Sequence, residues 1–196
     1  PLTQHWGVFF KDLEEKPYQQ LSKQGKIIEG ICKELGGIEL FDFNLAPNFP
    51  YALPFHWNGF ELKTRYTYKL DLRKERDQLE AHLESSHKRQ INKARKQGVQ
   101  LKKEETFEAF ESLFYKNQEA GNDLSGGDSR ILPLLRKLYN YLHGSTQGYI
   151  HAVYDAEDNL QAAAFFAFLD EKMYYLIGAQ DPKAQSSGAM TYLMWE

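Results

Sequence analysis

The alternation of apolar and polar positions is clearest from Phe60 to Leu70. Phe60, Leu62, Thr64, Tyr66, Tyr68 and Leu70 alternate with Glu61, Lys63, Arg65, Thr67 and Lys69. Successive side chains of a strand point to opposite sides, so a period of two predicts a long strand with one buried face. Shorter apolar runs predict strands at Trp6 to Phe10 and at Ile38 to Phe43. Between them, residues 18 to 35 read as a helix with Ile27, Ile28, Ile31, Cys32 and Leu35 on one face. Gly36-Gly37 follows as its stop. Pro47, Pro50 and Pro54 predict a loop from Asn44 to Pro54.

Beyond Leu70 the helical period takes over. Leu79, Leu83, Ile91 and Ala94 fall near one stripe and predict one long helix from Lys74 to Gln97, ended by Gly98. Val99 to Lys103 reads as a short strand. Thr106 is placed to cap the next helix, which buries Phe107, Phe110 and Phe114. A polar loop, Gly121 to Gly127, precedes another helix over Ser129 to His143. There Ile131, Leu135, Leu138 and Leu142 keep phase, and Pro133 is tolerated in the first turn.

After Gly144 three strands are expected, at Tyr149 to Tyr154, Leu160 to Leu169 and Met173 to Ala179. The turns Asp155-Ala156-Glu157-Asp158-Asn159 and Asp170-Glu171-Lys172 join them as an antiparallel meander. A polar loop, Gln180 to Ser187, leads into a helix near Gly188. Strands are grouped rather than alternating with helices. This predicts an α+β fold with a mixed, mostly antiparallel sheet flanked by helices, and disfavours repeated βαβ units.

Composition adds exclusions. The chain has 196 residues, 42% apolar and 26% charged, with a net charge of -3. That is ordinary globular usage, without the excess cation of a dedicated nucleic-acid binder. The single Cys32 excludes an internal disulfide and a cysteine-based zinc site, and fits a reducing, cytoplasmic setting. No apolar run approaches the roughly 18 to 20 residues of a membrane span. The chain starts at Pro1 and stops inside the apolar run Met190 to Glu196, so it reads as incomplete at both ends.

Motifs for a serine elbow, a P-loop, a zinc helix and a dinucleotide turn are all absent. The six histidines form no helical i, i+4 pair, so no metal is expected, and His151 reads as a packed strand residue. Three features carry candidate chemistry. The first is a basic run from Lys88 to Lys103 without an acidic residue, in which Arg89, Lys93 and Lys96 share a helical face. It suits a phosphate, a carboxylate or an RNA backbone, or else is a solvated face balanced by the acidic stretch from Glu104 to Glu119. The second is Gln185-Ser186-Ser187-Gly188-Ala189 between a strand and a helix. Its amides suit an anion, or Ser186 or Ser187 simply caps the helix. The third is the aromatic group of Trp57, Tyr66 and Tyr68, as a cleft lining or as core.

The order of elements from Val99, ending in Gln185-Ser186-Ser187-Gly188, resembles the GNAT acyltransferase fold. That superfamily's acyl-CoA loop reads Q/R-x-x-G-x-G/A. Gln185 and Gly188 match it, and Met190 stands at its last small position. Trp57-Asn58-Gly59-Phe60, Tyr66 to Leu72 and Arg89-Gln90-Ile91-Asn92-Lys93-Ala94-Arg95-Lys96-Gln97-Gly98-Val99 resemble the FemAB-type branch, with its helix ending R-x-x-I-x-K-A-x-K-x-G-V.

The resemblance implies two GNAT-like lobes with an acceptor groove between them. Residues 1 to 70 are then the remnant of the first lobe and 71 to 196 most of the second. It implies acyl or aminoacyl transfer to an amine of a small molecule or a bacterial cell-wall (peptidoglycan) precursor, from acyl-CoA or aminoacyl-tRNA. It places the donor on Gln185, Ser186, Ser187, Gly188 and Ala189. An anionic acceptor or donor falls to Arg89, Lys93 and Lys96, with Trp57, Tyr66 and Tyr68 on the acceptor side. No residue stands out as the base that takes the amine proton; Tyr174 and Tyr175, on the strand before the loop, are the nearest candidates, or else they pack. The other class is a non-catalytic module of the same fold that binds a cell-wall precursor, RNA or a protein partner.

Overall fold

Three consecutive strands and a fourth from earlier in the chain form the sheet, as the grouped period-two runs require. The computed structural model describes residues 8, 10–11, 15–38, 41–47, 49, 51–124, 130–169 and 171–196. The chain divides into two compact units, Pro1–Asp71 and Leu72–Glu196.

In the second unit, α3 (Arg76–Ala81) and α4 (Ser85–Lys96) lead to β1 (Gln100–Glu104). Helices α5 (Glu108–Glu119) and α6 (Ile131–Gly144) follow. Then come β2 (Gly148–Tyr154), β3 (Leu160–Leu169), β4 (Lys172–Gln180), a 3-10 turn (Pro182–Ala184) and α7 (Ala189–Trp195). The four strands pair antiparallel in the order β1-β2-β3-β4. The meander therefore lies where its alternation placed it. The Asp155 carboxylate closes the first turn by accepting from the Glu157 and Asn159 amides at 3.1 and 2.8 Å.

Each strand offers one residue in two to each face of the sheet. One face carries Ile150, Ala152, Ala163, Phe165 and Ala179, all buried. Helices α5 and α6 cover it. Phe107, Phe110, Leu113, Leu135 and Tyr139 fill the layer, with the Tyr139 ring 5.7 Å from both Phe107 and Phe165. Each fully buried ring of this size contributes about 1.5–3 kcal/mol. The buried stripe of α6 is Leu132, Leu135 and Tyr139, while Ile131, Leu138 and Leu142 are only half-buried. The predicted stripe is thus rotated toward β2.

The other face carries Val153, Ala162, Ala164 and Phe166, which pack with Ala94, Ala189 and Leu193 of α4 and α7. The predicted single helix over 74–97 is two helices. His82 to Glu84 interrupt it, and Glu84 takes an extended backbone before α4. Ser85 and Ser86 follow, and serine side chains compete with the helix for its own backbone groups, favouring a helix start there. Thr106 does not cap α5, which starts from Phe107 without a side-chain cap. The threonine bonds the Glu108 side chain instead, and with the Arg136 guanidinium it lowers that carboxyl's pKa. Among the described residues no ion pair joins the acidic stretch to the basic run. Glu108 and Glu111 pair with Arg136 of α6.

In the first unit, α1 (Pro17–Glu34) packs on a short helix, α2 (Leu53–Trp57), which replaces the end of the expected loop. Phe55 is its buried centre, with the rings of Phe43, Phe49 and Phe60 at 5.4, 6.1 and 5.8 Å. Ile28 of α1 is fully buried. The strand predicted at Ile38 to Phe43 is not formed at its described residues, and that at Trp6 to Phe10 falls mostly outside them. The strand predicted at Phe60 to Leu70 is also absent. Residues 61 to 70 have no regular structure and are exposed, with Tyr66 at 88%, Tyr68 at 95% and Leu70 at 77%. A strand exists only where a second strand takes its hydrogen bonds, and among the described residues none does. No helix among the described residues is long and apolar enough to cross a membrane.

Candidate functional site

The first half of β4, which carries Tyr174 and Tyr175, and the loop after the strand hold seven of the thirteen sequence-predicted residues. In β4, Phe165 pairs with Ile177 but Phe166 pairs with Tyr175, so Leu176 is an extra, bulged residue. The bulge resets the alternation. Tyr174, opposite Ala167, lies on the face covered by α5 and α6, and Tyr175, opposite Phe166, lies on the other. Of the two candidate tyrosines, only Tyr175 reaches the loop side. Its ring is 5.9 Å from Phe166, and burial raises its pKa. Its hydroxyl lies over Gly178, where a Cβ would be 2.6 Å from that oxygen and 3.1 Å from the Met190 methyl. Only glycine allows this approach.

From Gln180 to Gly188 the chain is tied down on two sides. On the α5 side, buried Asn117 donates to the carbonyls of Leu113 and Gln180, both at 2.8 Å. Lys116 holds the Asp181 carboxylate at 2.8 Å. Burial pushes that carboxyl up, but the bonds from Lys116 and from the Lys183 amide outweigh it and its pKa is lowered. Gln180 Nε2 donates to the Ala184 carbonyl at 2.7 Å.

On the α4 side, the Lys93 ammonium donates to the Ser186 carbonyl at 2.7 Å. Thr191 donates to Gln90 Oε1 at 2.6 Å. Gly188 has φ +80°, and a Cβ there would meet the Gln90 carbonyl oxygen at 2.5 Å. The glycine is thus required where the loop crosses the α4 backbone. Ser187 Oγ accepts from the Ala189 amide at 3.1 Å, but neither serine is the N-cap of α7, which is Gly188 without a side-chain cap. The amides of Gln185, Ser186 and Gly188 have no main-chain partner among the described residues. Gly188 is buried against α4, so the exposed Gln185 and Ser186 carry the groups the loop can offer an anion.

Of the basic run, Arg95 pairs with Glu196 at 2.8 Å, Lys102 with Asp158 at 2.6 Å, and Lys103 lies 4.4 Å over the Tyr149 ring. Arg76 is the second partner of Glu196, at 2.7 Å. Arg89 and Lys96 are exposed and make no ion pair among the described residues. The structure therefore joins Lys93 to the loop and leaves Arg89 and Lys96 to solvent.

Beyond the cover of α4 and α7, the same sheet face shows Lys103, Tyr149, His151, Phe168, Met173 and Tyr175, at the edge of the buried Phe166. Phe168, Met173 and Tyr175 are about half exposed, at 43%, 53% and 43%. His151 packs 5.9 Å from Phe166, and burial, with the Lys103 charge, lowers its pKa, so it is uncharged at neutral pH. Trp57, Tyr66 and Tyr68 belong to the first unit. Trp57 meets Tyr51 edge-on at 6.0 Å, and the two tyrosines are exposed. A cavity of about 320 Å³ lies between α5 and α6, and holds none of the predicted site residues.

Sequence reasoning missed Asn117, Asp181 and Lys116, which set the loop. Asn117 left a trace, since it continues the buried stripe of Phe110 and Phe114 with a polar side chain. Among the described residues no group of His, Cys, Asp and Glu could hold a metal ion. Compared with protein-family models and with curated proteins, the chain matches none.

Proposed function

We propose that the second unit is a GNAT-like N-acyltransferase domain that passes an acyl or aminoacyl group to an amine. The observation that carries this reading is the loop after β4. It is held from α5 by Lys116 and Asn117 and from α4 by Lys93, and it follows a bulged strand that brings the Tyr175 hydroxyl to Gly178. The order of strands and helices leading to it supports the reading. In it, the amides of the exposed Gln185 and Ser186 bind the phosphates of an acyl-CoA donor, or the backbone of an aminoacyl-tRNA. The exposed cations Arg89 and Lys96 add long-range attraction for either.

Acyl transfer of this kind needs alignment more than covalent help. The amine nitrogen forms a bond to the acyl carbon, the carbon–sulfur or carbon–oxygen bond to the donor breaks, and the leaving group takes a proton. Tyr175, with its raised pKa, keeps its proton at neutral pH, so it serves as the donor to that leaving group rather than as a base. His151, uncharged on the same sheet face, can accept the proton the amine sheds.

One observation favours the second reading, a non-catalytic module for a cell-wall precursor, RNA or protein partner. Gly188 and Lys93, the two loop contacts most tied to a donor, are both engaged inside the fold. Thermal unfolding in the presence of acetyl-CoA, longer acyl-CoAs or bulk tRNA separates the two. A ligand at a hundredfold excess over its Kd adds about 2.7 kcal/mol, or roughly 5–10 °C in Tm for a chain of this size. A CoA-dependent rise supports the acyl-CoA donor, and a steeply salt-dependent tRNA effect supports the aminoacyl donor. No response to any of them overturns the transferase reading.

A further inference from the structure

We propose that residues 60 to 70 are a dimerisation strand, pairing antiparallel with the same segment of a second copy of this chain. The segment alternates apolar and polar side chains throughout, yet residues 61 to 70 make no main-chain hydrogen bond among the described residues. Leu62, Tyr66, Tyr68 and Leu70, at the apolar positions of the alternation, are exposed, and only Phe60 is packed, against Phe43 and Phe55. A segment with open amides and carbonyls is a template for another strand.

Charge and the length of the apolar stripe together select the register, since centring on Lys63 also opposes Glu61 with Arg65 but leaves Tyr68 and Leu70 unpaired within the segment. Centred on Arg65, self-pairing sets Glu61 opposite Lys69 of the second copy, twice by symmetry. The same register sets Phe60 against Leu70, Leu62 against Tyr68 and Thr64 against Tyr66, so the apolar stripe runs unbroken across both strands. Centring on Tyr66 would oppose Lys63 with Lys69 and Glu61 with Asp71. Centring on Thr64 would oppose Lys63 with Arg65, and any one-residue slip would set apolar against charged positions. A parallel pair in register would oppose every charge with itself. The one like pair left is Arg65 with Arg65, where each guanidinium is exposed to solvent and donates to Asn44 Oδ1 of its own chain at 2.9 Å. Glu61 already lies 3.4 Å from Lys63, and the second copy's Lys69 adds a cross-strand partner.

Sedimentation equilibrium of the chain over a range of concentration tests this. A reversible dimer is expected. Glu61→Lys opposes two lysines at two places and is expected to weaken dimerisation by about tenfold. Glu61→Lys combined with Lys69→Glu restores the opposite charges and is expected to recover the original dimer. Both variants lie on exposed positions, and far-UV circular dichroism checks that the fold is kept. A chain that stays monomeric up to about 100 μM, far above the micromolar range of a specific contact, overturns the proposal. So does a dimer that ignores Glu61→Lys, or one that the double exchange fails to restore.

Discussion

The two faces of the sheet are built from the same alternating strands and end in different states. Under α5 and α6, Phe165, Ile150, Ala152 and Ala163 are wholly enclosed. Under α4 and α7, Val153, Ala162 and Ala164 are equally enclosed, but the rows toward Tyr149, Phe168 and Met173 are not. Alternation reports that a strand has an apolar side. It does not report whether a helix lies over it. The half-open face is also the one that carries Tyr175, Gly178 and the loop held by Lys93, so the incomplete cover coincides with the candidate chemistry.

Substitutions can break or sharpen this contrast. The largest effect is expected from Phe165→Ala on the closed face, at about 3–5 kcal/mol in chemical denaturation, since the tightly packed rings around it cannot collapse into the space. Gly188→Ala is expected to cost roughly 2–4 kcal/mol, because the new methyl meets the Gln90 carbonyl oxygen and the backbone is left-handed there. Thermal unfolding reads it. A neutral Gly188→Ala would show that the α4 backbone can yield, and would return the glycine to a purely ligand-facing role.

A smaller effect follows from His151. Its folded pKa lies below the usual 6.5, so the unfolded chain binds the proton more readily. The stability tied to its uncharged form is present above pH 6.5 and is lost as pH falls through the folded pKa. Stability measured from pH 8 to 5 is expected to decline on this account, and His151→Phe is expected to flatten the decline. An unchanged pH profile in the variant would place the dependence elsewhere. The smallest effect is expected from Phe168→Ser on the open half, within about 0.5–1 kcal/mol in the same denaturation measurement. A loss as large as that of Phe165→Ala would mean that the open half is covered in solution.

The first unit sets a different lesson beside this one. The strand pattern at Phe60 to Leu70 was the cleanest in the chain, and it is the one whose residues lie bare. The meander strands had weaker alternation, since Ala162 to Phe166 are apolar throughout, and they formed over the expected spans. The difference is partnership. Tight turns at Asp155 and near Glu171 deliver a neighbour to each meander strand, while among the described residues no turn delivers one to residues 60 to 70. The break at His82 to Glu84 has the same kind of cause. The stripe of Leu79, Leu83, Ile91 and Ala94 reads continuously, but Leu79 and Leu83 are only half-buried and do not hold α3 and α4 in line.

Periodicity and turn chemistry alone located the α+β order from β1 to α7, the meander with its turns, and the polar loop before α7. These are local properties, because a few residues suffice to express a backbone period or a turn preference. Tertiary packing decided the rest. It separated Tyr174 from Tyr175 through the bulge at Leu176, a feature of strand pairing rather than of either strand. It turned Gly188 toward the Gln90 carbonyl and gave Lys93 to Ser186, both through contacts between residues far apart in the chain. It drew Asn117, a polar residue in an apolar stripe, to the end of β4. Such contacts depend on which surfaces meet after the chain has folded, and residue type along a sequence does not encode that meeting at any fixed spacing.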